Sequence, residues 1–393
     1  MTEPNKIPQY TPEDYHPKKP EILNIAEAAK ARAQTVYAVK AANGGSYIDG
    51  VPMLKWGEWR DNSYGGCVAA LLNAAGFPVT YEEVMGLSGA CYQAIMLDDW
   101  DPSSQMPQNG LLCERNTGDA LGVDVYSVQD EADICERAKR SIDGGYPVLL
   151  VGGRWEPEWT LACGYAVESG VTKFFGRTYF DFQNHIRSAE TIEHQSTKVP
   201  ENEIYTENGY FYLNGFPGVA PGALTRFYNK TCAPISRKQA LKISLETCVK
   251  MFEQPPREHG HKYGYDAYDV LISGFELDDA AYRAKCTNVQ YHIGSMQDAR
   301  RAAHAYLSAN ADLLGKENDA KLSAVAEIYR KMTDNLLAAV PYEETTAVFD
   351  GGGGSVWDKA RRLELTAALK KNKDLERQAR IIAADILNNW EDK

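Results

Sequence analysis

The stretch WRDNSYGGCVAALLNAAG, which runs from Trp59 to Gly76, carries the main signal for the fold. Polar residues lead into a glycine pair, and the run that starts at Cys67 has the composition of a buried helix. The partial positive charge at a helix N-terminus stabilises a thiolate, which is the reactive form of cysteine. The stretch therefore predicts one of two roles for Cys67: a nucleophile, or a small residue packed at the start of a buried helix.

The whole chain has the composition of an ordinary globular protein. It contains 393 residues, of which 44% are hydrophobic and 24% are charged. The net charge of -12 argues against a general affinity for nucleic acid or anionic membranes, which requires clustered Lys and Arg. No run reaches the roughly 20 apolar residues that span a bilayer, and the proline-rich N-terminus lacks the apolar core of a signal peptide. We therefore expect a cytoplasmic protein that binds neither nucleic acid nor membrane.

The eight cysteines are scattered along the chain and form no Cys-x-x-Cys pair. This pattern is typical of free thiols in a reducing compartment, and it indicates neither a disulfide framework nor a zinc site. His259 and His261 have a spacing that could chelate a metal on a strand, but Pro255, Pro256 and Gly260 argue against a strand there. We expect no metal and no cofactor.

Secondary-structure signals divide the chain into three regions. Residues 1–45 contain a proline-rich extended arm followed by a helix-forming run. Residues 46–234 hold the cysteine helix and a later set of β-rich runs, among which PVLLVGG is continuous enough to be a central strand. Residues 235–393 contain long periodic helices, the first of them with Ser236 as its N-cap. We predict an α+β fold with an α-helical C-terminal region, whose helices pack on the core or form a homo-oligomer interface.

Three runs of the chain resemble a known family in their order and spacing. They are GGCVAALLNAAGFPVTYEEVMGLSGACYQ, SIDGGYPVLLVGG and EWTLACGYAVESG, and the family is the papain-like group with its C39-type peptidases and butirosin-biosynthesis H-like proteins. The chain is most similar to a bacterial subgroup without an established activity, whose MGxSG and WxPSS signatures match residues 85–89 and 100–104. The resemblance covers residues 56–182. It implies a papain-like core in which the cysteine helix packs on an antiparallel sheet beside a cleft.

The same resemblance implies an altered set of catalytic partners for the cysteine. In C39-type enzymes the base is a histidine that begins a strand running into Gly-Tyr, and the matching position before Gly164 and Tyr165 is Glu158. The upstream oxyanion donor of the family falls at Asp61. An ionised Glu158 would disfavour a neighbouring thiolate, and an ionised Asp61 has no proton to donate to an oxyanion. Asp61 and Glu158 could instead act together as a carboxylate acid–base pair.

A cysteine nucleophile still needs a general base, which is most often histidine. The strand EWTLACGYAV contains none. His185 follows it in a polar stretch, and His292 lies in a helical context, where a solvated or capping histidine is the usual explanation. We retain His185 and His292 as the candidate bases for Cys67.

Aromatic and charged residues accumulate around the same predicted cleft. Aromatic walls with a few placed charges describe a small-molecule pocket, although tryptophans also fill cores. The candidate binding residues are Trp56, Arg60, Trp100, Trp159, Arg177 and Tyr179.

Two functions remain open at this point. The favoured one is a papain-like-fold protein that binds or processes a small molecule or a peptide without a standard Cys-His triad. The alternative is a cysteine hydrolase or acyltransferase in which Cys67 attacks an acyl group or an amide. A histidine within hydrogen-bond reach of the Cys67 Sγ would distinguish them.

Overall fold

The structure is a computed structural model, and it describes eleven ranges of the chain. These ranges are 37–54, 57–101, 113–127, 131–151, 159–179, 206, 210–213, 225–230, 234–253, 260–346 and 356–391. They fall into two compact units. The sheet unit takes its described residues from 37–80 and 122–230, and the helical unit takes them from 81–121 and 234–391. Within these ranges no helix is both long enough and apolar enough to cross a membrane.

The elements of the described residues are numbered in chain order. The strands are β1 (Val39–Ala42), β2 (Gly45–Ile48), β3 (Ile95–Met96), β4 (Val123–Ser127), β5 (Val148–Val151), β6 (Trp159–Glu168), β7 (Val171–Arg177), β8 (Phe211–Tyr212), β9 (Thr225–Lys230) and β10 (Lys262–Tyr263). The α-helices are α1 (Ser63–Ala74), α2 (Tyr81–Ser88), α3 (Cys113–Leu121), α4 (Glu131–Asp143), α5 (Arg237–Met251), α6 (Tyr265–Phe275), α7 (Asp279–Arg283), α8 (Val289–Ala309), α9 (Lys316–Ala339), α10 (Tyr342–Thr346) and α11 (Lys359–Asn388). The mixture of helices with an antiparallel sheet confirms the α+β class.

The sheet unit is built on one antiparallel sheet with the strand order β1-β2-β6-β5-β9-β4. Strand β6 organises this sheet, because it pairs with β2, β5 and β7. The run PVLLVGG forms β5, which lies between β6 and β9 as a central strand should. Helix α1 packs against β5 and β6, and helix α4 packs against β2, β5 and β6. The sheet therefore places the start of β6 against the cysteine-bearing helix.

The helix predicted within residues 1–45 is wrong at its C-terminal end. Val39–Ala42 form β1, whose pairing with β2 runs from Val39↔Ile48 to Ala42↔Gly45. The two residues between the strands are Asn43 and Gly44, and Gly44 has a φ of +66°. Glycine adopts this positive φ without a steric penalty, so Gly44 allows the chain to reverse within two residues. The hairpin overrides the helical composition of the run 21–42, of which residues 21–36 lie outside the described ranges.

The helical unit packs three long helices together. Helix α9 lies against both α8 and α11. One face of α9 is buried at helical spacing, and it consists of Leu322, Val325, Ala326, Tyr329, Met332 and Leu336. Ser236 caps α5 by accepting the N–H of Gln239, so the predicted N-cap is confirmed. The described residues after 235 form helices, with the short strand β10 added.

The helical unit also contains Tyr81–Leu121, which the sequence analysis places in one core with the rest of 46–234. Buried polar groups account for the difference. The Nη2 of Arg301 on α8 lies 3.1 Å from the Oε1 of Glu82 on α2 and 3.3 Å from the Oδ1 of Asp298. The Tyr81 hydroxyl donates to Asp298. The bonds of Glu82 and Tyr81 join positions 219 and 217 residues apart, and local periodicity carries no signal for them.

A fully buried ion pair lies inside the helical unit. Arg300 of α8 and Glu376 of α11 are both 0% exposed, and the Arg300 Nη2 lies 2.6 Å from the Glu376 Oε1. Glu376 also accepts hydrogen bonds from Tyr268 of α6 at 3.0 Å and from Tyr329 of α9 at 3.3 Å. Arg300 donates to two backbone carbonyls of the segment 91–93. Burial raises the pKa of Glu376, and Arg300 opposes that rise. The ionised form of the carboxylate therefore depends on its bonding partners.

We expect Arg300→Met to lower the free energy of unfolding by about 3–5 kcal/mol, because it leaves the buried Glu376 without its counter-charge. Urea unfolding followed by circular dichroism measures the change. The matched control is Arg330→Met on α9, which breaks exposed ion pairs with Glu327 and Asp334. Exposed pairs contribute little in water, so this variant should unfold close to the wild type. Equal destabilisation of the two variants would contradict the role given to Arg300.

Candidate functional site

Helix α1 begins where the stretch WRDNSYGGCVAALLNAAG turns from polar to apolar. Asn62 is its N-cap, with the side-chain Oδ1 accepting the N–H of Gly65 at 3.0 Å and the carbonyl accepting the N–H of Gly66 at 3.0 Å. Since the helix starts at Ser63, Cys67 occupies its fifth position, in the second turn. The helix dipole acts mainly on the first turn, where the amides have no helical partner. Cys67 therefore lies beyond the part of α1 that best stabilises a thiolate.

The Cys67 side chain is buried at the contact between α1 and β6. It is 0% exposed, and its Sγ donates to the backbone carbonyl of Trp159 at 3.3 Å. Ser63, one turn earlier, accepts the N–H of Trp159 at 3.4 Å. The Tyr64 ring packs edge-on against the Trp159 ring with 5.7 Å between centroids. Both backbone groups of Trp159 are thus bonded to α1, an arrangement that favours a packing role for Cys67.

Tyr179, two residues after β7, also holds the start of α1. It is buried, and its hydroxyl donates to the carbonyl of Asn62 at 3.1 Å. A Cβ atom on Gly66 would sit 2.1 Å from that hydroxyl oxygen. The glycine that precedes Cys67 is therefore required for the approach of Tyr179.

The turn before α1 is strained. Trp59 has a φ of +59° and Gly57 a φ of +80°, and a left-handed backbone is uncommon for a residue with a side chain. Asp61 is buried, and its Oδ1 closes the turn by accepting the N–H of Gly57 at 3.0 Å. Arg60 is half-buried between these residues. Within the described ranges its guanidinium makes no hydrogen bond or ion pair, whereas the Asp61 carboxylate is engaged in the turn.

Arg177 anchors the segment that follows β2. Its Nε donates to the carbonyl of Val51 at 2.8 Å, and its guanidinium carbon lies 4.2 Å from the centre of the Tyr210 ring. The Tyr210 hydroxyl donates to the carbonyl of Ile48 at 2.7 Å and accepts the N–H of Val51 at 3.1 Å. Burial raises the pKa of Tyr210 above its usual range, so the hydroxyl keeps its proton. Arg177 thus joins the end of β7 to the segment after β2 within the sheet unit.

Trp100 and His292 lie in the helical unit. Trp100 is 0% exposed with a φ of +61°, and its ring packs against Phe275 and Tyr282 with centroid distances of 5.4 and 6.2 Å. The His292 Nε2 donates to the carbonyl of Trp100 at 2.8 Å. Burial lowers the pKa of His292 to about 4, so the ring is neutral at pH 7. His292 thus holds the strained backbone of Trp100 within the helical unit.

Some of the candidate site residues meet in the sheet unit, and others belong to the helical unit. Cys67, Trp159 and Tyr179 meet at the start of α1, and Arg60 and Asp61 immediately precede it. Trp100 and His292 belong to the helical unit. Trp56, Glu158 and His185 lie outside the described residues. Sequence reasoning missed Tyr64, although its position three residues before Cys67 places both side chains on one face of a helix.

Comparisons with family models and curated proteins give no indication of function. No protein-family model matches the chain, and no curated protein matches it. In the described part of the chain, no group of three or more His, Cys, Asp or Glu residues could hold a metal ion. Function is therefore inferred from the residues themselves.

The buried His292 predicts an acid-sensitive stability. The unfolded chain binds a proton on this histidine with a pKa near 6.5, and the folded chain does so only near 4. The contribution of the neutral His292 to the free energy of unfolding is thus fully present above pH 6.5. It falls as the pH decreases toward 4, by on the order of 3 kcal/mol. His292→Gln keeps a donor for the Trp100 carbonyl but cannot titrate, so its stability should fall less over this range.

Urea unfolding midpoints measured between pH 4 and pH 7 test this prediction. The control is His304→Gln on the same helix, where the Nδ1 of the half-buried histidine bonds to the Ala326 carbonyl. This variant removes a histidine from the same helix and leaves the bond from His292 to Trp100 intact. An unchanged profile in His292→Gln would show that another group sets the acid sensitivity.

Proposed function

We propose that the sheet unit has a papain-like core and binds a small molecule or a peptide without thiol catalysis. The observation that carries this proposal is the environment of Cys67. Its thiol is fully buried and donates to the Trp159 carbonyl. A catalytic thiol must reach its substrate and lose its proton to a base, and reactive cysteines are accordingly partly exposed. The candidate base His292 instead serves Trp100 in the helical unit.

The order of elements supports a papain-like core. Helix α1 carries the cysteine and precedes β5, β6 and β7, which form from the runs that carry the family resemblance. The helix packs on the antiparallel sheet at β5 and β6. Since Tyr81–Leu121 belongs to the helical unit, the proposed core consists of the described parts of 46–80 and 122–230. In this proposal Cys67 is a packing residue of the papain-like core and takes no part in catalysis.

The turn before α1 supports a binding function. Backbone strain in folded proteins concentrates at functional sites, and Trp59 is held in a left-handed conformation there. The neighbouring Arg60 keeps its guanidinium donors available within the described ranges. Arginine presents five N–H groups in a fork that matches a carboxylate. The proposed ligand therefore carries a carboxylate, which Arg60 recognises.

Cysteine alkylation tests the absence of thiol catalysis. Native protein is treated with iodoacetamide at neutral pH, and each cysteine is followed by peptide mass mapping. We expect Cys135, half-buried on α4, to react about tenfold or more faster than Cys67, because a buried thiol reacts only through local opening. Cys67 should react as slowly as the buried Cys91 and Cys248. Fast and selective alkylation of Cys67 would contradict the proposal and favour a cysteine hydrolase or acyltransferase.

Thermal shift measurements with a panel of N-acetyl dipeptides test the binding function. We expect dipeptides with a free carboxylate to raise the melting temperature by about 2–4 °C at saturating concentration, and their amides to have no effect. The shift should persist in Cys67→Ser and disappear in Arg60→Ala. A shift that needs Cys67 but not Arg60, or no shift with any dipeptide, would contradict the proposal.

A further inference from the structure

A cavity of about 430 Å³ opens in the helical unit. Its walls come from the start of α5, from the turn that leads into α9, and from the end of α11. Small-molecule sites occupy about 300–1,000 Å³, so the volume suits a ligand of the size of an amino acid or somewhat larger. The site lies within the helical unit and does not depend on the function proposed for the sheet unit.

One wall of this cavity is aromatic. The Trp390 ring is half-buried, and the ammonium groups of Lys238 and Lys242 lie 5.7 and 5.8 Å from its centre. Of these two lysines, Lys238 lines the cavity and Lys242 does not. A tryptophan ring that is fixed by its neighbours offers a flat surface on which another planar group can stack.

Lys238 supplies a positive charge at the same wall. Its Nζ donates to the backbone carbonyl of Glu391 at 2.6 Å, which fixes the position of the ammonium group. A lysine ammonium has three N–H donors, and this bond occupies one of them. The remaining donors can bind a ligand carboxylate through charge-assisted hydrogen bonds.

The rest of the lining offers acceptors. The Asn318 Nδ2 donates to the Asn389 carbonyl at 3.5 Å, and the Asn389 Nδ2 donates to Asp385, so both side-chain amide groups are oriented by existing bonds. Within the described residues their side-chain oxygens accept no hydrogen bond and can serve as acceptors. Glu391 adds a carboxylate to the lining. The cavity therefore presents one ammonium group, an aromatic face and a set of oxygen acceptors.

We propose that this cavity binds an α-amino acid with a planar aromatic side chain. The ligand ring stacks on Trp390, and its carboxylate takes the donors of Lys238. Its ammonium group faces the Glu391 carboxylate and the side-chain oxygens of Asn318 and Asn389. The two charges of a zwitterion match the two signs of charge in the lining, which a simple anion or a simple cation would not.

Isothermal titration of the full chain with L-tryptophan, L-tyrosine and L-phenylalanine tests this proposal. We expect at least one of them to bind with a Kd on the order of 1 mM or tighter, as ligands of this size can. Removing one ligand group at a time should weaken binding about fivefold or more. The probes are indole-3-propionate without the ammonium, tryptamine without the carboxylate, and L-leucine without the ring. Binding of indole-3-propionate or tryptamine as tight as that of L-tryptophan would overturn the assignment of a zwitterion.

Two lysine variants locate the site. Lys238→Met should weaken binding about tenfold, because it removes the donors for the carboxylate. Lys242→Met is the matched control, since this lysine lies as close to the Trp390 ring but outside the cavity lining. Circular dichroism and urea unfolding check that both variants fold. Equal weakening in the two variants, or no saturable binding of any of the three amino acids to the wild type, would overturn the proposal.

Discussion

Two opposite charges, Arg300 and Glu376, are held inside the helical unit without any exposure to water. Such charges are tolerated only where every one of them finds partners, because removal from water costs several kcal/mol per ion. The partners here come from α6, α8, α9, α11 and the segment 91–93, so satisfying the pair fixes how these elements pack. The neighbouring Arg301 draws α2 into the same unit through Glu82. The need to bond these buried charges thus selects one arrangement of the helices, whereas apolar faces alone could pack in several ways.

In the sheet unit, too, hydrogen bonds of buried polar groups fix how two elements pack. Trp159 begins β6, and both of its backbone groups bond to side chains of α1. Cys67 is one of these side chains, which ties the thiol to the packing of helix on sheet. The polar groups at the start of α1 largely satisfy one another, with Asn62, Ser63 and Tyr179 each bonded. Arg60 stands apart from this network, and it is therefore the residue through which we connect the sheet unit to a ligand.

Local sequence signals suffice to predict many of the elements. Helix α1, the strands β4 to β7 and the long helices after residue 235 follow from periodicity and capping residues, as Ser236 illustrates. The α+β class follows from their order. Two elements escaped prediction: the charge-rich CERNTGDAL of α3, in which Asn116, Thr117 and Gly118 are weak helix formers, and the TRFYNK of β9, which shows no alternation of apolar and polar residues. The position of Cys67 at the start of an apolar run makes it a candidate nucleophile, but no local pattern shows whether its thiol is accessible.

The bonding partner of each residue, by contrast, depends on how the chain folds in three dimensions. Cys67 bonds to Trp159, 92 positions away, and Tyr81 bonds to Asp298, 217 positions away. His292, a candidate base, bonds instead to the carbonyl of Trp100. Periodicity shows which face of an element is apolar, but it does not show what covers that face. The burial of a thiol or an imidazole, and hence its chemistry, depends on that covering surface, so it is settled only when distant segments of the chain pack together.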